Sequence, residues 1–200
     1  MSTFQKIVQM AMLNDAVDEL MEKSTLWAEG RMRHASQKMV RFKIGRLQER
    51  VLRGRVYQFF YDAKHKETLP YYDAFPYVIV LEKYDDGFLG INMHYLPLYH
   101  RAILFDRLDL LTRHPNMEPD EQSRMMLRYD RLSKVRRFRF HKPALKRYLY
   151  SQIQGPVYQI PGNLWRMALF LPTTDFMYKR AQIRAKRVHF DSRRQINKGI

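Results

Sequence analysis

Tyr77-Val78-Ile79-Val80-Leu81-Glu82-Lys83 and Phe88-Leu89-Gly90-Ile91-Asn92-Met93-His94-Tyr95, separated by Tyr84-Asp85-Asp86-Gly87, decide how this chain folds. Both runs are rich in β-branched and aromatic residues and are about as long as a strand. Asp85-Asp86-Gly87 between them reads as a tight hairpin turn, with Gly87 expected to supply a positive φ. Upstream, Arg55-Val56-Tyr57-Gln58-Phe59-Phe60-Tyr61 has the same composition and reads as a third strand. Residues 62–76 then form a long link that holds Pro70, Pro76 and Tyr71-Tyr72. That length suggests a packed Ω-type loop within a small, strongly bent sheet. An SH3-like β-barrel fits this strand count and loop, and other small barrels fit almost as well.

Outward from this core the apolar period becomes helical. Phe4, Ile7, Val8, Leu13, Val17, Leu20 and Met21 predict a helix over residues 3–29. A second helical stretch over 31–53 carries only Met39, Phe42, Leu47 and Val51 as an apolar set. Such a segment buries little alone and needs a partner or the rest of the protein to hold it. Past Pro97, a helix is expected from Leu98 to Thr112, and another over residues 119–135, opened by Pro119 and two acids in its first turn. Pro143 is expected to open a helix through Ile153, followed by a short strand at 157–160 and a short helix at 164–171. The tail from Thr173 reads as helical and basic. The sum is an α+β fold: a small SH3-like β-barrel flanked by N-terminal and C-terminal helices with basic extensions. The expected divisions are a helical arm at 1–54, the barrel core at 55–97, a helical region at 98–172 packed on the barrel, and a basic tail at 173–200.

The 200 residues suit one domain or one domain with appendages. At 46% hydrophobic and 14% aromatic, the composition can offset the entropy of ordering a core. Cysteine is absent, so disulfides, thiol nucleophiles and cysteine-ligated metal sites are excluded. No run of about 18 uncharged apolar residues occurs, and a membrane span is not expected. The amino terminus lacks the pattern of a secretory leader.

The charge is uneven. The chain carries +16, yet residues 1–30 and 57–100 are each −3 and 101–133 are neutral, whereas 31–56 hold +8, 134–150 hold +7 and 151–200 hold +7. These blocks place the candidate contact residues: Arg31, Arg33, Lys38, Arg41, Lys43, Arg46, Arg50 and Arg53; Lys134, Arg136, Arg137, Arg139 and Lys142; and Lys179, Arg180, Arg184, Lys186, Arg187, Arg193 and Arg194. Arginine predominates, and its planar fork suits phosphate oxygens. A polyanion is the expected partner, with an acidic protein neighbour as the alternative. DNA binding would be independent of sequence, since no base-reading helix is recognisable.

Chemistry is not expected. The glycines match no phosphate-binding loop, and His94 and His100 do not have the spacing of a helical metal pair. Asp85-Asp86 has the simpler reading of a polar turn. His94 stands at no recognisable spacing from a nucleophile and reads as a structural residue, and Tyr71-Tyr72 reads as packing in its loop rather than as a stacking platform for bases. No cofactor, metal or catalytic residue is assigned.

Two stretches carry a resemblance: residues 61–76, Tyr-Asp-Ala-Lys-His-Lys-Glu-Thr-Leu-Pro-Tyr-Tyr-Asp-Ala-Phe-Pro, and 86–97, Asp-Gly-Phe-Leu-Gly-Ile-Asn-Met-His-Tyr-Leu-Pro. Together they resemble a virion protein family of large contractile-tailed, T-even-like bacteriophages that includes DNA end protectors. The similarity extends through Arg101, residues 146–151 and 165–172. It implies a non-enzymatic particle component that sits on the genome terminus and shields it from host exonuclease, located in the virion and, during assembly, in the host cytoplasm. Asp73, Asn92 and His94 would be fold determinants of the barrel and its loop. The rival expectation is a structural tail, baseplate or neck component whose basic arms bind neighbouring subunits within a larger assembly.

Overall fold

The computed structural model describes residues 3–36, 44–112, 142–172, 176–178, 181–182 and 184–197. In chain order these form α1 (Thr3–Leu13), α2 (Val17–Ser36), α3 (Ile44–Arg50), β1 (Val56–Tyr61), β2 (Tyr72–Asp73), β3 (Tyr77–Tyr84), β4 (Gly87–Asn92), α4 (Leu98–Thr112), β5 (Leu145–Leu149), β6 (Ile153–Ile160), α5 (Trp165–Ala168), β7 (Phe176–Tyr178), β8 (Ala181–Gln182) and α6 (Ala185–Asn197). The helix expected over 119–135 lies outside the described residues.

The main sheet has five strands in the order β5-β4-β3-β1-β6, and every neighbouring pair is antiparallel. It is open rather than closed into the expected barrel: β5 and β6 are its two edges. They are consecutive in the chain, joined by a single 3-10 turn at Tyr150–Gln152. A smaller sheet, β2-β7-β8, ties the carboxy-terminal segment to the long loop through the pairs Tyr72↔Met177 and Asp73↔Phe176.

Strand β3 reads as a continuous apolar run because both faces of the sheet are covered. Tyr77, Ile79 and Leu81 face one hydrophobic cluster with Val56, Ile91 and the helical residues Phe4, Val8, Phe105 and Trp165. Val78 and Val80 face a second cluster with Tyr57, Phe59, Phe88, Tyr148 and Tyr150, sealed by Leu47 and by Val51 just beyond α3. Aromatic edges interlock within it: Phe59 meets Tyr148 at 5.4 Å and Phe88 at 5.8 Å, near perpendicular in both cases. Such pairs add about 0.5–1.5 kcal/mol each beyond area burial.

Several sequence expectations are corrected. The helix expected from Pro143 to Ile153 is instead β5, the 3-10 turn and the start of β6. Tyr148 and Tyr150 are both buried, while Arg147 and Leu149, on either side of Tyr148, are not. That alternation is the strand period of 2, whereas a helix would turn residues 148 and 150 to opposite sides. The strand expected at 157–160 begins at Ile153: three residues of β6 stand opposite Phe59 of β1, a bulge in which Gly155 has φ +81°. A Gly-Pro pair is tolerated because β6 is an edge strand. Gly87 is not in the left-handed region, where Gly54 and Gly155 are found. Its need for glycine is steric, since a Cβ there would lie 1.9 Å from the Tyr148 carbonyl oxygen of β5. The helix over 3–29 is broken at Asp15, whose φ is +53°, and the strand over 88–95 ends at Asn92 in a 3-10 turn, Met93–Tyr95. The expected helix at 164–171 is short, Trp165–Ala168, and the tail contains β7 and β8 before α6.

The helices are fastened by polar contacts with partners far away in sequence. Asp106 of α4 accepts the Phe4 and Gln5 backbone N–H groups at 2.6 and 3.0 Å, placing a carboxylate on the open first turn of α1. Ser24 of α2 donates to the Met167 carbonyl at 2.7 Å.

Candidate nucleic-acid interface

The helix α6 carries five exposed cations on or beside it: Arg184, Lys186, Arg187, Arg193 and Arg194. Asp191 is the one acid between residues 184 and 197. At about 3.6 residues per turn, Val188 and Ser192 fall on the opposite face. They are 0% and 3% exposed, so the cationic face points outward because the apolar face is docked. The docking is specific. His189 lies 2.9 Å through Nε2 from the His94 carbonyl oxygen. A carbonyl only accepts, so the proton is on Nε2. Burial, assisted by Arg101, Arg193 and His94, lowers the His189 pKa to about 4, so the ring is neutral at physiological pH. Asp191 and Arg187 both act on Tyr71, whose pKa is raised to about 12, chiefly by burial.

The platform beneath α6 is a buried polar network. Asp73 accepts from His94 Nδ1 at 2.8 Å, from Asn92 Nδ2 at 2.8 Å and from the Phe75 backbone at 3.0 Å. Asn92 also donates to the Tyr148 hydroxyl at 2.9 Å and accepts the His94 backbone N–H at 2.9 Å. Asp73, Asn92 and His94 are 4%, 0% and 1% exposed, which encloses the carboxylate-imidazole pair away from any substrate. These three residues hold the loop, the end of β4 and the turn at Met93–Tyr95 as one unit. Tyr71 belongs to the same packing, with its ring 6.0 Å from Tyr95 and 5.7 Å from Phe176. Arg101 spans the neighbouring gap, donating from Nε to the Leu96 carbonyl at 2.9 Å and from Nη1 to the Leu171 carbonyl. Its burial lowers its pKa to about 10.

The remaining predicted contact residues are dispersed. Arg31 and Arg33 lie on α2 and Arg46 on α3, while Arg50 and Arg53 are exposed at and after the end of α3. Lys142 is exposed before β5. Lys38, Arg41, Lys43, Lys134, Arg136, Arg137, Arg139, Lys179 and Arg180 lie outside the described residues. Around the β3–β4 hairpin the cations meet acids and rings. Arg147 pairs with Asp86 and lies 3.8 Å over the Tyr84 ring, and Lys83 donates to the Gln48 carbonyl at 2.5 Å. Among the described residues, α6 is therefore where predicted cations gather on one face with little opposing charge.

Sequence reasoning overlooked three kinds of residue. Lys146 and Arg101 are cations used inside the fold. Burial lowers the Lys146 pKa to about 8, and its Nζ lies 4.2 Å over the Tyr95 ring. His189 anchors the cationic helix and carries no charge signal. Phe190 is 64% exposed on the outward face of α6. Its four helical neighbours, at i−4, i−3, i+3 and i+4, are Lys186, Arg187, Arg193 and Arg194, a pattern legible in the sequence once the helix is granted.

Among the described residues no helix is long and apolar enough to cross a membrane. Neither a curated protein nor a solved structure gives a match to the chain. A family model does, that of the phage T4 terminal DNA protecting protein, over residues 1–192. The match runs from the amino-terminal helices through the sheet and its buried Asp73-Asn92-His94 network to Ser192 of α6, so nearly the whole fold is accounted for, and the chain belongs to the family of the phage T4 terminal DNA protecting protein.

Proposed function

We propose that this protein binds the ends of duplex DNA without reading their sequence and, without catalysing a reaction, shields them from exonuclease in the phage particle or the infected host. The observation that carries the reading is the outward face of α6, where Lys186, Arg187, Arg193 and Arg194 stand exposed on a docked helix with Arg184 exposed just before it. Family membership supports end protection as the purpose of that contact. The enclosure of Asp73 and His94 supports a binding role over a hydrolytic one, because the best-formed acid-base pair has no access to a phosphodiester. We also read the sheet as SH3-like, on the ground that its last strand, β6, lies beside its first, β1, and is preceded by a 3-10 turn.

Each phosphate neutralised contributes about −0.9 to the slope of log K against log salt on duplex DNA. Four cations on α6 and Arg184 just before it therefore predict a slope of about −4 to −5, or steeper if other basic residues join them. Fluorescence anisotropy with a labelled linear duplex across a salt series measures it. Absence of binding at low salt, or affinity that salt does not change, would falsify the proposal. Capture of an acidic virion protein in place of DNA would assign the basic face to an assembly contact.

A further inference from the structure

The ring of four cations around Phe190 goes further than general attraction to DNA. The flank of a duplex presents phosphates and sugars, and a phenyl ring pressed against them strips water from phosphate oxygens without supplying a hydrogen bond in its place. The apolar faces that DNA offers are those of its bases, and in an intact duplex these are uncovered only at the ends. A helical residue with cations at i−4, i−3, i+3 and i+4 sits at the centre of a patch about 12 Å long on the helix axis, from residue 186 to residue 194. Resting on the reading that this protein binds DNA ends, we infer that Phe190 stacks on the terminal base pair while Lys186, Arg187, Arg193 and Arg194 hold the phosphates of the two strands around it. The end is then recognised by its exposed base face, and the sequence-independent character follows because every base has one. The same cap occupies the position an exonuclease needs in order to engage the terminal nucleotide.

Two probes test this: a short blunt duplex, and the same duplex with both ends closed by hairpin loops, so that no terminal base face is open. Wild-type protein is expected to bind the open duplex more tightly by about 5- to 150-fold, the worth of one stacked base. Phe190→Ala should bind both probes at the level of the closed one, with an unchanged thermal midpoint because the side chain is exposed. Phe190→Trp should keep the preference. A 2-aminopurine at the terminal position should be quenched by Phe190→Trp, whose indole is an electron donor, and not by Phe190→Ala. Equal affinity of wild-type protein for the two probes, or a preference retained by Phe190→Ala, overturns the stacking role and leaves end protection by phosphate contact standing. No binding of either probe by the wild-type protein overturns the proposed function along with it.

Discussion

At the scale of single residues, the fold depends on polar groups that a composition count cannot distinguish from surface ones. Asp73 is one acid among 20, yet it accepts three hydrogen bonds in an enclosed site. Replacing it by Asn puts a second amide against Asn92 Nδ2 and His94 Nδ1 and removes the charge they solvate. A buried donor left without its acceptor costs about 1–3 kcal/mol, and the new amide strands at least one of them. Denaturant unfolding of Asp73→Asn should show a loss of that size, while Asp85→Asn in the exposed turn should change little. His189 gives a pH signature. Its folded pKa is about 4, against about 6.5 in an unfolded chain, so the unfolded state binds more protons between those values. Stability therefore falls as pH drops from about 6.5 towards 4, and the lowered pKa of His100 adds in the same direction. Thermal midpoints taken across that range should decline less steeply in His189→Gln. A slope that the substitution leaves unchanged would mean that His189 is not what couples α6 to protonation. Asp73, Asn92 and His94 were legible as fold determinants through their family resemblance. Phe190 was not singled out, because an isolated exposed aromatic is common and only the helical register reveals its cationic neighbours.

At the scale of elements, the strands most evident in the sequence are β1, β3 and β4, whose apolar runs lie at the middle of a sheet covered on both faces. The edge strands were misread for a physical reason. β5, Leu145-Lys146-Arg147-Tyr148-Leu149, has no β-branched residue, and β6 contains Gly155-Pro156, so both lack the composition that central burial imposes. Gly87→Ala tests the β4–β5 contact. A methyl group 1.9 Å from the Tyr148 carbonyl oxygen forces β5 away from β4, with an expected cost of about 1–3 kcal/mol and earlier amide exchange at Tyr148 and Leu149. Unchanged stability would contradict the placement of β5. The amino-terminal helices depend on a cap supplied from α4. Asp106→Ala leaves the Phe4 and Gln5 N–H groups without their carboxylate and should cost about 0.5–2 kcal/mol, read as loss of helical circular dichroism at lower temperature.

For the whole molecule, the +16 charge first reads as arms extending from a neutral core. The arrangement is different where it is described. Leu47 on α3 and Val51 just after it are buried in the sheet's second cluster, and α6 is held by Val188 and His189 and follows the small sheet that begins in the long loop. The cations of α6 are thus displayed by a fixed surface. A rigid display loses less conformational entropy on binding than a flexible arm does, and it fixes the spacing of the charges it presents. Charge blocks in the sequence mark which cations are candidates for contact with a polyanion, but only packing separates Arg193 and Arg194, which are exposed, from Arg101 and Lys146, which serve the core.

Protection of DNA ends by this surface is tested most directly by exonuclease digestion of a linear duplex in the presence of wild-type protein and of a variant in which Lys186, Arg187, Arg193 and Arg194 are all replaced by Gln. The wild-type protein is expected to preserve full-length DNA at low salt, and the variant, folded as judged by its thermal midpoint, to leave digestion as fast as in its absence. Protection that the variant retains in full, or digestion that the wild-type protein does not slow, would contradict the account.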